Sequence, residues 1–213
     1  MKLGLFGGCF DPIHNGHIRP VRDARSELGL DRVLFLPTAV PPHKPGRQFA
    51  PPHARFAMVE LALLDEPGLA VSPLELTPER PFYTIDSLRH FRQQDRDAEL
   101  YLHVGGDGFA DLHTWKEWQE VFRLAHLVVL TRPDWHWSDF RHRVPAELAE
   151  LAATERVHFI AQQSTWVLKS SPLSTWTPNL LKNGRQTMVS TLNAPTRHTL
   201  WPSWHGHARS MPC

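Results

Sequence analysis

Cysteine is nearly absent from this chain of 213 residues: Cys9 and Cys213 sit at opposite ends, and two such thiols give no disulfide framework. Long apolar runs are missing too. The N-terminal run Leu3-Gly4-Leu5-Phe6 is too short for a signal-peptide core, and no stretch approaches the roughly 20 apolar residues that span a bilayer. A soluble, cytoplasmic protein without a membrane partner is expected. Net charge of one sign is also lacking. At +1 the chain has no global basic field of the kind that grips nucleic acid, so no nucleic-acid partner is expected. The 14 histidines are scattered, without clustered acids or cysteines, and predict no metal site of the protein's own.

One scarcity is local. No acidic residue follows Glu155, although the chain carries 22, and half of its eight tryptophans (Trp166, Trp176, Trp201 and Trp204) gather in the same acid-free region. Helical and strand periodicity fade after Leu168. The composition predicts one domain over residues 1–163 and an atypical tail over 164–213, either disordered or read out of frame.

Within the first part, short apolar runs alternate with helical patterns. Strands are predicted at Lys2–Phe6, Arg32–Leu36, Leu69–Ser72, Leu100–Val104, His126–Thr131 and Val157–Ala161, and helices at Ile18–Leu28, His53–Leu64, Thr84–Gln94 and Thr114–Leu124. Such alternation predicts an α/β, Rossmann-like fold, a parallel sheet with helices on both faces. Ligands then bind beyond the carboxyl ends of the strands, where the strand order reverses.

The residues that follow the predicted strands carry the chemistry. Gly7-Gly8-Cys9-Phe10-Asp11-Pro12-Ile13-His14-Asn15-Gly16-His17 is a strand-to-helix turn. Its glycines let backbone N–H groups approach an anion, and the helix start adds unpaired donors. His14 and His17, three apart, share one face of the first helical turn and can donate to phosphate oxygens. Lys44 lies in a proline-stiffened loop, Pro41-Pro42-His43-Lys44-Pro45, as a phosphate partner or an ordinary solvated cation. Tyr83-Thr84 opens a helix, with Thr84 either its cap or a backbone contact for a carboxylate or amide. Gly105-Gly106-Asp107 follows a strand, where Asp107 either caps a helix or accepts from ribose hydroxyls. Trp115 stacks on a ligand ring or packs in the core, and Arg132 pairs with phosphate or with water.

In this order the clusters resemble bacterial nicotinate-nucleotide adenylyltransferases, over about Lys2 to Gln163. The first motif resembles the signature of the wider nucleotidyltransferase superfamily. The resemblance implies transfer of the AMP part of ATP, with magnesium, to nicotinate mononucleotide in NAD biosynthesis. It also implies that Gly7, Gly8, Cys9, Phe10, His14, His17, Gly105 and Asp107 bind ATP, the two histidines at the phosphates and Asp107 at the ribose. Lys44, Tyr83, Thr84, Trp115 and Arg132 would hold the mononucleotide, with Thr84 and Trp115 at its ring. Cys9 stands where the family commonly has Thr, and Phe82 where it often has Ser. After Gln163 the chain reads Ser164-Thr165-Trp166-Val167-Leu168-Lys169-Ser170-Ser171-Pro172-Leu173, in place of the family's Ile-Ser-Ser-Thr-x-Ile-Arg motif. Two other readings follow: a nucleotide-binding protein without catalysis, and a pantetheine-phosphate adenylyltransferase, the latter disfavoured by the Lys44 loop and Thr114-Trp115.

Overall fold

The computed structural model describes residues 1–40, 48–76, 82–132 and 134–161. Lys44 and the acid-free tail lie outside them. Six strands, β1 (Lys2–Gly8), β2 (Arg32–Pro37), β3 (Leu69–Val71), β4 (Glu99–Gly105), β5 (Ala125–Thr131) and β6 (Val157–Ala161), form one sheet in the order β3-β2-β1-β4-β5-β6. Every neighbouring pair is parallel. The expected fold class and all six expected strands are present.

Parallel strands need crossovers, and helices α1 (Asn15–Leu28), α2 (Pro52–Ala62), α3 (Thr84–Gln94), α4 (Gly106–Ala110), α5 (Trp118–Leu124) and α6 (Ala146–Leu151) lie between them. Strand alternation splits the core into two layers. Leu3, Leu5, Leu100, Leu102, Leu127 and Val129 face Ile85, Leu88 and Phe91 of α3, Val121 and Phe122 of α5, and Leu148 of α6. Phe6, Val33, Phe35, Tyr101 and Val128 face Ile18, Val21 and Ala24 of α1 and Val59 of α2. Because both faces are covered at the centre of the sheet, β1, β4 and β5 are buried almost continuously rather than at alternate residues.

Two glycines are fixed by this packing. A Cβ on Gly4 would come 2.7 Å from the His103 ring and 2.8 Å from Val33, so β1 needs glycine for its neighbours to close on it. Gly29 ends α1 at φ 61°, and the following Leu30 N–H bonds back to the Arg25 carbonyl at 2.9 Å, closing the last turn.

The helices depart from expectation in three places. Residues 114–124 are not one helix. A short 3-10 turn at Leu112–Thr114 ends, Trp115 is extended, and Glu117 takes a left-handed φ of 53° before α5 begins. The Glu117 carboxylate accepts from both terminal guanidinium nitrogens of Arg89, an exposed pair that ties the bend to α3. Thr84 is the first residue of α3 rather than its cap; Tyr83 holds the cap position, with no side-chain hydrogen bond to the helix. The short helices α4 and α6 are additions to the expected set, because they carry too few turns to show a periodicity.

His103, at the fully buried centre of β4, replaces what a parallel strand would fill with an aliphatic side chain. Burial pushes its pKa from the ordinary 6.5 to about 4, only partly offset by backbone groups of Leu5 and Tyr101. The unfolded chain binds this proton at 6.5 and the folded one only near 4, so acid favours unfolding between those values. We therefore expect the stability of the native chain, relative to its His103→Leu variant, to fall by about 3 kcal/mol between neutral pH and about pH 4. Urea midpoints of both proteins across that window check it; parallel pH profiles would rule it out.

Candidate functional site

The strand order reverses between β1 and β4. The chain leaves the carboxyl end of β1 toward β2 and that of β4 toward β5, so a cleft opens between the two strand ends. It measures about 270 Å³, at the lower end of small-ligand sites and enough for one ring with its attachments. Gly7, Gly8 and Cys9 form one wall, His103 and Val104 the floor beside them, and Tyr83, Thr84, Trp115 and Lys116 the far wall. Six of the residues singled out in the sequence thus line one cavity: Gly7, Gly8, Cys9, Tyr83, Thr84 and Trp115.

The glycine turn at the end of β1 is built for two purposes. A Cβ on Gly7 would meet nothing within 4 Å, so its backbone lies open to the cleft. A Cβ on Gly8 would press on the Phe10 ring at 3.0 Å. Phe10 does not line the cleft. It is buried at φ 45°, an uncommon backbone for a side chain of this size, and packs against Phe6, Phe35 and His17 with ring centroids 5.3–5.6 Å apart. The Asp11–Pro12 peptide is cis.

His14 caps α1, its Nδ1 accepting the Gly16 N–H at 3.1 Å. Partial desolvation lowers the pKa of the imidazole below its ordinary value. A neutral ring with Nδ1 accepting carries its proton on Nε2, which makes the outward nitrogen a donor. His17, in the first turn of α1, brings its ring centroid to 3.9 Å from that of His14, with an interplanar angle of 31°. The two rings thus share one face at a helix N-terminus, as their spacing predicts. They stand beside the turn rather than in the cleft wall.

Gly105, Asp107 and Arg132 also lie outside the cavity lining, at the adjoining ends of β4 and β5. Gly105 precedes α4, and Asp107 lies within its first turn rather than capping it. Arg132 Nη2 donates to Asp107 Oδ2 at 2.7 Å. Both side chains are about two-thirds exposed (63% and 67%), so solvent screens the pair and a ligand can separate it at small cost. The resemblance assigns these two residues to different substrates, whereas here they are ion-paired with each other.

Three charged residues at the site escape sequence reasoning. Lys116 lines the far wall with its Nζ 4.8 Å from the Tyr83 ring centroid and 3.9 Å from the Asp86 carboxylate. Glu75, 6% exposed, also lines the cleft, and burial raises its pKa against the opposing hydrogen bonds from Ser87 and Thr38. Arg55, fully buried, donates to the carbonyls of Cys9, Thr38 and Ala50. Arg55 has a signal, since it falls at i with buried Val59 and Leu63 at i+4 and i+8, an arginine on an apolar stripe. Glu75 has none, because it lies in irregular chain after β3. Among the described residues, no group of three or more His, Cys, Asp or Glu is placed to hold a metal ion, and no helix is long and apolar enough to cross a membrane.

Residues 5–187 match the cytidylyltransferase-like family. A relative from Aeromonas hydrophila, named "Probable nicotinate-nucleotide adenylyltransferase", is 40% identical over 177 residues, covering 80% of each chain. One of the same name from Neisseria meningitidis serogroup A is 44% identical over 147 residues, covering 69% of this chain and 72% of its own. A structure of the Plasmodium falciparum nicotinic acid mononucleotide adenylyltransferase complexed with NaAD superposes with a TM-score of 0.62 at 14% identity, over 78% of this chain and 77% of that one, a likeness of fold alone. With the glycine turn, its paired histidines and the cleft at the strand reversal all in place, the chain belongs to the cytidylyltransferase-like family, among the nicotinate-nucleotide adenylyltransferases.

Proposed function

We propose that this chain transfers the adenylyl group of ATP to nicotinate mononucleotide, giving nicotinate adenine dinucleotide and pyrophosphate in NAD biosynthesis. The observation that carries this reading is the pairing of His14 and His17 on one helix N-terminus beside a cleft whose far wall is aromatic and cationic. Phosphates go to the turn and the pyridine ring to the far wall.

The reaction needs no protein nucleophile. A phosphate oxygen of the mononucleotide attacks the α-phosphorus of ATP, the bond from that phosphorus to the bridging oxygen breaks, and pyrophosphate leaves with the electron pair. Catalysis is then positioning and charge neutralisation. The open Gly7 backbone, the start of α1 and the Nε2–H of His14 face the phosphates, with His17 stabilising the charge that develops during transfer. Asp107 is assigned to the ribose, which releases Arg132 for a substrate phosphate, and Lys44 is assigned to the mononucleotide. Tyr83, Thr84 and Trp115 receive the ring by stacking and by helix N-terminal N–H groups. Magnesium belongs to the ATP substrate here, since Mg²⁺ takes most of its ligands from phosphates and water. A nucleotide-binding protein without turnover is the second reading, favoured by one observation: Ser164 to Leu173 does not carry the arginine-containing motif that the resemblance implies.

Pyrophosphate release from ATP, magnesium and nicotinate mononucleotide decides between the two; ATP binding without release supports the second. In the active enzyme, His17→Ala is expected to slow turnover on the order of 100-fold while changing mononucleotide affinity far less. Unchanged turnover would remove His17 from the transfer step. Lys116 supplies the cation for the nicotinate carboxylate, and because it is partly exposed its contribution is modest. Lys116→Met is expected to reduce the preference for nicotinate over nicotinamide mononucleotide about fivefold in kcat/KM. An unaltered ratio would assign that selectivity elsewhere.

A further inference from the structure

The cleft wall contains a buried line of hydrogen bonds that no step of the transfer uses. Arg55 Nη1 donates to the Cys9 carbonyl in the glycine turn at 2.5 Å, and its Nη2 donates to the Thr38 carbonyl at 2.9 Å. The Thr38 hydroxyl donates to Glu75 Oε2 at 2.6 Å. The other carboxylate oxygen, Oε1, accepts from the Ser87 hydroxyl at 2.6 Å. Thr38 follows the end of β2, and Ser87 sits one turn into α3, on from Thr84. The line therefore runs without a gap from the turn assigned to ATP phosphates to the helix assigned to the pyridine ring.

Stability does not account for it. Taking a guanidinium and a carboxylate out of water costs several kcal/mol each, and apolar side chains of similar volume commonly fill such space as well or better. The charges are not even paired directly, because Thr38 stands between them. What this arrangement provides, and apolar packing does not, is directional geometry at both ends: the arginine is held by the carbonyls of Cys9, Thr38, Ala39 and Ala50, and each Glu75 oxygen by one hydroxyl. Arg55 also donates through Nε to the Ala50 carbonyl at 2.9 Å, and the Ala50 N–H donates to Asp11 Oδ2 at 3.1 Å. The chain on both sides of residues 41–47 is thus tied to the same arginine and the same turn.

We propose that Arg55, Thr38, Glu75 and Ser87 are positioning residues that set the separation between the two halves of the adenylyl-transfer site. This rests on the function proposed for the cleft. In-line transfer is sensitive to that separation, since a displacement of about 1 Å can cost on the order of 100-fold in rate. The bridge aligns the attacking phosphate with the α-phosphorus and touches neither.

The test is steady-state kinetics of pyrophosphate release with Thr38→Val, Ser87→Ala and Glu75→Gln, alongside the conservative Thr38→Ser and Ser87→Thr, with the folded fraction of each measured by circular dichroism. Turnover is expected to fall by roughly one to two orders of magnitude, the cost of misalignment, with smaller changes in KM for either substrate and most of the loss regained in the hydroxyl-retaining variants. A kcat that tracks only the folded fraction, or equals wild type in folded Thr38→Val and Glu75→Gln, overturns the bridge alone. A wild-type chain that releases no pyrophosphate overturns both the bridge and the adenylyl-transfer reading.

Discussion

The parallel pairing of β1 with β2 on one side and β4 on the other is the constraint from which the rest follows. With a parallel neighbour on each edge, β1 sends its connection to one side, to β2. The chain leaving β4 goes the opposite way, to β5. No helix can cover the point where the two connections part, and a cleft remains there by geometry. Gly4 makes the pairing possible, because any side chain at that position would collide with His103 and Val33.

That opening sets the electrostatic character of the site. The start of α1 brings the positive end of its dipole to this edge, with His14 at its N-cap and His17 in its first turn. Lys116 on the far wall adds positive charge, while the buried arginine behind the turn donates to carbonyl oxygens and lies 5.8 Å from the Phe49 ring centroid. Among the described residues of the cleft lining the acid is Glu75, and both of its oxygens are occupied by hydroxyl donors. Anionic substrates therefore meet donors and cations along the open edge, with the opposing carboxylate buried and hydrogen-bonded.

The site also divides into tight and loose parts. The Arg55 bonds and the Phe10 packing fix the glycine turn from behind. The Asp107–Arg132 pair is exposed and separable, and the Lys116–Asp86 contact, at 3.9 Å, is a long one. The groups behind the turn are buried and held by hydrogen bonds and packing, whereas the pairs at the open edge are in water. Such a division suits a transfer in which two substrates are gripped and two products must leave.

The sequence by itself determined the layers of this fold and the front of its site. Six apolar runs separated by helical patterns leave little choice but a covered parallel sheet, and glycines and histidines at fixed spacing specify a strand-to-helix turn with two rings on one face, because these are local effects of backbone freedom and helix geometry. The tertiary structure alone decided the rest. Residues 114–124 look helical in isolation, yet Glu117 takes a left-handed bend and its carboxylate pairs with Arg89 of α3, 28 positions away. Asp107 and Arg132, 25 positions apart, meet only because β4 and β5 are neighbours. Thr38, Arg55, Glu75 and Ser87 carry no shared pattern along the chain. Their bonds span up to 46 positions, from Arg55 to Cys9, and a hydrogen bond between groups so far apart in sequence has no period to reveal it.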